Sequence, residues 1–166
     1  MTEDKNNQIL SILIVEYRQM LFRIAYRILK NNADAEDAVS ETTCKAFANF
    51  HKLKNVDKFK PWVIRILINE SYVIAKKRKK YIPLDEEMVV ENNETEIVDN
   101  LFLSDAFMSL NQDFRLVAIL FYYENMSIKE ISSILKIPVG TVNSRLNRSR
   151  QKLKDYFIKE GVYQYE

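Results

Sequence analysis

The chain has 166 residues, a length that fits one ordinary domain or two small ones. Its 47% hydrophobic and 29% charged residues suit a folded, soluble chain, while two glycines and three prolines are too few for turn-rich sandwiches or barrels. Gly140 and Gly161 cannot build a glycine-rich dinucleotide turn or a P-loop. One histidine (His51) and one cysteine (Cys44) supply neither a histidine–cysteine zinc site nor an internal disulfide, and they recommend no nucleophile–base pair. No catalytic residue, metal or cofactor is expected.

The net charge of +2 hides a pattern. Residues 1–80 carry +7, residues 81–110 carry −8 with no Lys or Arg, and residues 111–166 carry +3. Two basic blocks joined by an acidic one predict two small modules facing a polyanion, with a linker that avoids it. Glu3 and Asp4 stand where a secretory signal would be basic, and the apolar run Ile9 to Val15 is too short to span a bilayer. A cytoplasmic chain without membrane insertion is expected.

In chain order, Leu10, Ile14, Tyr17, Leu21, Ile24 and Ile28 predict a helix over about 8–30. Asn31-Asn32 breaks it. Asp34 is the expected N-cap of a second helix reaching Phe50, with Ala35, Ala38, Val39, Thr42, Ala46 and Phe47 inward and Cys44 partly buried. A polar basic stretch, His51 to Lys60, follows. Pro61 suits a helix first turn, and a third helix runs to Lys80 with Trp62, Val63, Ile66 and Val73 inward. Ile82-Pro83 ends it, and Leu84 to Glu96 reads as an acidic tether. Helices are then predicted over 97–109, 112–124, 127–136 and 139–158. Ser127 and Glu130 form a capping box ahead of the third of these.

The last two helices, with the break at Lys136-Ile137-Pro138, have a helix-turn-helix layout. Ile131, Ile134, Leu135 and Ile137 would form the corner. Val142, Leu146, Leu153 and Phe157 would anchor the final helix. Its other faces carry Thr141, Asn143, Ser144, Arg145, Asn147, Arg148, Arg150 and Lys152, with Arg145, Arg148 and Lys152 in one basic stripe at i, i+3 and i+7 and Asn143, Asn147 and Arg150 in an adjoining one. Arginine forks match guanine edges or phosphates, and asparagine can read adenine. On the third helix, Arg65, Asn69, Tyr72, Lys76 and Lys80 form one stripe ending in the run Lys76–Lys80. An aromatic among cations suits single-stranded nucleic acid. The acidic start of the second helix (Asp34, Glu36, Asp37, Glu41) suits a protein partner instead. A basic face that is only solvated remains the competing reading for each stripe.

The order DAEDAVSETTCKAF, KFKPWVIRILINESYVIAKKRKK, an acidic tether, then SIKEISSILKIPVGTVNSRLNRSRQKL resembles the extracytoplasmic-function (ECF) sigma factors, the smallest sigma-70 proteins of bacterial RNA polymerase. The resemblance spans about Tyr17 to Phe157. It implies an all-α fold of two small helical domains joined by a flexible acidic linker. Region 2 would be residues 8–80, the linker 81–99 and the helix-turn-helix region 4 residues 100–160. It implies a promoter-specificity subunit with core RNA polymerase and promoter DNA as partners. A restraining anti-sigma factor, commonly membrane-anchored, and a cell-envelope stress response are implied with it.

By position, polymerase contacts fall on Asp37, Ser40 and Glu41. Minus-ten contacts fall on Arg65, Asn69, Tyr72 and Lys76, and the loop around His51 to Lys58 would hold the flipped nontemplate base, with Arg65 and Asn69 nearby. Minus-thirty-five contacts fall on Thr141, Asn143, Ser144, Arg145, Asn147 and Arg148. Several positions depart from the family pattern. Ser40 replaces a common glutamine, Asn111 a common proline and Asn125 a common glycine. Asn143 and Asn147 stand where Lys or His is frequent, which is expected to alter minus-thirty-five preference. A helix-turn-helix regulator outside polymerase and an all-helical interaction adaptor are the alternatives that the residues alone leave open.

Overall fold

The computed structural model describes residues 3–81 and 101–162. Among them every regular element is helical, and the chain divides into an N-terminal and a C-terminal unit. The all-α reading holds. The predicted linker carboxylates Asp85, Glu86, Glu87 and Glu91 lie outside the described residues.

The N-terminal unit packs three helices, α1 (Glu3–Leu29), α2 (Asn32–Asn49) and α3 (Phe59–Tyr81), each against the other two. On α1, Leu10, Leu21 and Ile24 are fully buried. Ile14, Tyr17 and Ile28 are half-buried. The helix ends at Lys30, whose left-handed backbone (φ 53°) lets its N–H return to the Tyr26 carbonyl at 2.7 Å.

The N-cap of α2 is Asn31, not Asp34. Asn31 has extended backbone (φ −146°, ψ 128°), so its side-chain oxygen can turn back and accept from the Asp34 N–H at 2.8 Å. Asp34 is already helical, and its carboxylate pairs with Arg78 of α3 at 3.1 Å. The inward row Ala35, Ala38, Val39, Thr42, Ala46 is buried as expected. Phe47 is not part of it: it is 41% exposed, one residue round the helix from the buried Ala46. Cys44 is exposed as well.

The basic stretch after α2 forms two 3-10 turns, Phe50–Lys52 and Val56–Lys58, the second capped by the Asn55 side chain. Helix α3 starts at Phe59, so Pro61 falls in the first turn, where the missing N–H costs nothing. Its buried face is Phe59, Val63, Ile64, Leu67, Ile68, Glu70 and Ser71. The expected face was rotated from this. Val73 is 45% exposed, and Trp62 and Ile66 are half-buried. The run WVIRILI is apolar on several sides, so spacing alone admits more than one buried face.

The C-terminal unit contains α4 (Leu101–Met108), α5 (Gln112–Ala118), α6 (Ile128–Leu135) and α7 (Val139–Lys159). Residues 97–100 of the predicted fourth helix are not described. Arg115 donates to the carbonyls of Phe107, Met108 and Leu110, closing the end of α4. Asn111 caps α5 by accepting from the Phe114 N–H at 3.0 Å. The predicted helix 112–124 changes character midway: Ile119–Tyr123 is π-helical, with the Glu124 N–H bonded to the Ile119 carbonyl. Asn125 follows at φ 51°, the left-handed position that asparagine tolerates in place of glycine.

Cap chemistry sets the α2 boundary. Asn31→Ala is expected to cost about 1 kcal/mol in urea unfolding and to unprotect the Asp34 amide in hydrogen exchange. An unchanged midpoint and unchanged exchange would place the cap elsewhere.

Candidate nucleic-acid interface

In the N-terminal unit the stripe on α3 lies directly opposite the buried face, at 100° per residue. Asn69, Lys76 and Lys80 are exposed, while Arg65 and Tyr72 are half-buried. Arg78 leaves the lysine run to pair with Asp34, so the cations pointing outward there are lysines.

Beside Asn69 lies a feature the sequence did not reveal. A cavity of about 320 Å³ is lined by Lys45, Asn49 and Lys52 from α2 and its following turn, and by Trp62, Ile66, Asn69 and Glu70 from α3. Trp62 was expected in the core. It instead packs one side on Phe50 and Phe59, with ring centroids 6.4 and 5.8 Å away, and turns toward the cavity. Tyr17 extends this aromatic cluster at 5.7 Å from Phe59. Asn49 is held at both ends: its amide donates to the Lys45 carbonyl at 2.9 Å, and its oxygen accepts from Lys52 at 2.7 Å. Glu70, with its side chain 10% exposed, pairs with Lys45. A supported indole, two amides and two lysines form a setting that can stack a planar base and meet its polar edge.

On α2, Asp37, Ser40 and Glu41 are all exposed and share the face opposite the buried row. Cys44 and Phe47 extend that face at helical spacing. Their position was legible in principle, because Asp37, Ser40, Cys44 and Phe47 recur every three or four residues.

In the C-terminal unit, Ser127 and Glu130 make the expected capping box. The Ser127 N–H donates to Glu130 at 2.8 Å, and the Glu130 N–H donates to Ser127 at 3.2 Å. Lys136 closes α6 in the left-handed region at φ 52°. Ser132 fixes the turn by donating its hydroxyl to the Ile137 carbonyl at 2.6 Å. Ile131 and Ile134 are buried, and Leu135 and Ile137 are half-buried.

Helix α7 buries Val142, Leu146, Ser149 and Leu153, and Phe157 is half-buried. Ser149 was missed by an apolar-only search. Its hydroxyl lies 3.0 Å from the Phe114 carbonyl and 2.7 Å from the Arg145 carbonyl, tying α7 to α5. Asn143, Ser144, Asn147 and Arg148 are exposed, and Thr141 is half-buried.

The expected basic stripe Arg145–Arg148–Lys152 is not uniform. Arg145 pairs with Asp113 of α5 at 2.9 Å and is 25% exposed. Among the described residues Arg148 and Lys152 have no such carboxylate partner. Arg150, on the adjoining stripe, donates to the Tyr122 hydroxyl and to the Asn147 side-chain oxygen, both at 2.8 Å.

Comparison with known proteins agrees with this bipartite layout. Residues 13–81 match the Sigma-70 region 2 family, and residues 103–153 match Sigma-70, region 4. The chain is 30% identical over 155 residues to the ECF RNA polymerase sigma factor SigW of Bacillus subtilis, covering 83% of each protein. It is 28% identical to the ECF RNA polymerase sigma-E factor of Escherichia coli, covering 86% of this chain and 83% of that one. Among solved structures, the sigma factor RpoE of Bartonella quintana, crystallised with the anti-sigma factor NepR, matches with a TM-score of 0.67 at 24% identity. That match covers 94% of this chain and 98% of the other. CnrH in complex with the cytosolic domain of CnrY matches with a TM-score of 0.72 at 19% identity, over 95% and 92% of the two chains. Two basic helical units matching sigma regions 2 and 4 in order, with this identity across most of the chain, make it a member of the ECF sigma factors of the sigma-70 family.

Proposed function

We propose that this sigma factor divides promoter recognition between its two units, with region 2 at residues 8–80 and region 4 at 100–160. The observation that carries the reading is α7. Its buried row leaves Asn143, Ser144, Asn147 and Arg148 exposed at the second helix of a capped helix-turn-helix. A helix so presented fits the major groove with its N-terminal residues toward base edges. Thr141, Asn143, Ser144, Arg145, Asn147 and Arg148 contact the minus-thirty-five element. Arg148 meets DNA directly, whereas Arg145 does so while held by Asp113.

Region 2 meets the minus-ten element through Arg65, Asn69, Tyr72 and Lys76. The cavity beside Asn69 takes a base flipped from the nontemplate strand, stacked against Trp62. Unstacking that base costs a few kcal/mol, which stacking and amide contacts offset. Asp37, Ser40 and Glu41 contact core polymerase, and the exposed Phe47 and Cys44 adjoin them. The acidic segment 81–99 joins the two units.

The chain acts by binding, with no reaction of its own. An anti-sigma factor restrains it, by analogy with the complexes of its structural neighbours, and the regulated response concerns the cell envelope. The site of action is the cytoplasm. Among the described residues no helix is long and apolar enough to cross a membrane.

Run-off transcription on the DNA upstream of its own gene tests the reading. Core polymerase with this chain is expected to give a promoter-specific product that core alone does not give. No specific product there or on envelope-stress promoters, with the core shown competent, would overturn it. Phosphate contact makes a second prediction. Arg148→Ala is expected to weaken holoenzyme binding across promoter sequences and to lower the slope of log affinity against log salt by about one. An unchanged slope would remove Arg148 from the phosphate contacts.

A further inference from the structure

Arg150 bonds to a residue assigned to the DNA face. Its guanidinium sits between three groups: the Tyr122 hydroxyl at 2.8 Å from Nε, the Asn147 side-chain oxygen at 2.8 Å from one terminal nitrogen, and the Phe121 ring, 5.9 Å to its centroid. Tyr122 and Phe121 belong to the π-helical segment that continues α5. Arg150 and Asn147 are both on the exposed side of α7, one turn apart.

The chemistry fixes the orientation of the amide. Arginine has five donors and no acceptor. The Asn147 atom facing it must therefore be the oxygen, whichever way the amide would otherwise turn. The NH2 group is then directed away from Arg150. An asparagine that reads adenine uses both ends: its oxygen accepts from the adenine N6 amino group and its nitrogen donates to N7. With the oxygen turned toward Arg150, the Asn147 NH2 is the group presented to DNA; the oxygen keeps a second lone pair but is aimed at Arg150 instead of at an adenine amino group. Guanine offers two adjacent acceptors, O6 and N7, on its major-groove edge, whereas adenine offers N7 alone beside its N6 donor. Thymine offers one, beside a methyl group.

We propose that Arg150 is a positioning residue that sets base specificity through Asn147, making it favour a guanine edge over an adenine edge. Tyr122 and Phe121 hold Arg150 in place for this. The inference rests on the reading of α7 as the minus-thirty-five helix.

The test is promoter selection by holoenzyme from a library randomised across the minus-thirty-five region. Wild type is compared with Asn147→Ala, Arg150→Met, Arg150→Lys and Tyr122→Phe. Asn147→Ala identifies the base pair that Asn147 reads, and wild type is expected to prefer G·C there. Arg150→Met frees the amide and is expected to shift that pair about tenfold toward A·T, leaving the profile of the other pairs in place. Arg150→Lys still donates to the oxygen and is expected to retain G·C. Tyr122→Phe keeps the charge but loosens the guanidinium, giving a smaller shift in the same direction.

A uniform loss of binding in Arg150→Met, with the base profile unchanged, would reduce Arg150 to a phosphate contact and overturn the proposal. So would a wild-type preference for A·T at that pair, or an Asn147→Ala profile identical to wild type. Failure of wild-type holoenzyme to select any sequence would instead sink the promoter reading itself.

Discussion

A helix in a unit of three or four helices can bury one face and no more. Small units bury a low fraction of the surface their unfolded chains expose, so much side-chain chemistry stays at the surface. Helix α3 commits Phe59, Val63, Ile64, Leu67, Ile68 and Ser71 to the bundle. Helix α7 commits Val142, Leu146, Ser149 and Leu153. The remaining face of each helix follows from that choice. On α3 it is the stripe Arg65–Lys80 flanked by Trp62, and on α7 it is Asn143, Ser144, Asn147 and Arg148. Rotating either buried face would present different side chains to solvent.

Charge alone overstates what these faces offer. Several arginines are employed inside the protein. Arg78 holds α3 to the start of α2 through Asp34, and Arg115 closes the end of α4. Arg145 is paired with Asp113. Arg150 is anchored on the π-helical segment. What is left to face solvent without a carboxylate partner among the described residues includes Lys76, Lys80, Arg148 and Lys152. Arginine's rigid donor fork suits fixed internal contacts, whereas lysine carries a compact, strongly hydrated charge on a flexible stem. The +3 of the C-terminal block is thus distributed, and amides and hydroxyls supply much of its outward chemistry.

Much of the architecture was legible in the sequence. Apolar spacing located the helices of both units, and Ser127 with Glu130 marked the start of α6. The inward row of α2 was read correctly as far as Ala46. What failed was choice among equals. Asn31 and Asp34 are both good caps, and only backbone conformation decides between them. Apolar residues on several sides of α3 left its buried face open, so Trp62 was assigned to the core. That error concealed the cavity, which needs Lys45 and Asn49 from another helix and so has no local signature. The π-helical turn after Ala118, and with it the Tyr122–Arg150 contact, has no periodic signal at all. Asn125 went the other way: it stands where glycine is common, and it takes the left-handed backbone at φ 51° that such a position calls for.

The central claim is that the exposed face of α3 and its cavity open promoter DNA, while α7 selects and anchors it without opening it. Permanganate reactivity of promoter thymines under holoenzyme separates these roles most directly. Wild type is expected to make thymines near the minus-ten element reactive. Asn69→Ala is expected to leave the promoter occupied while reducing that reactivity at least severalfold. Full reactivity in Asn69→Ala, at equal occupancy, would contradict the account.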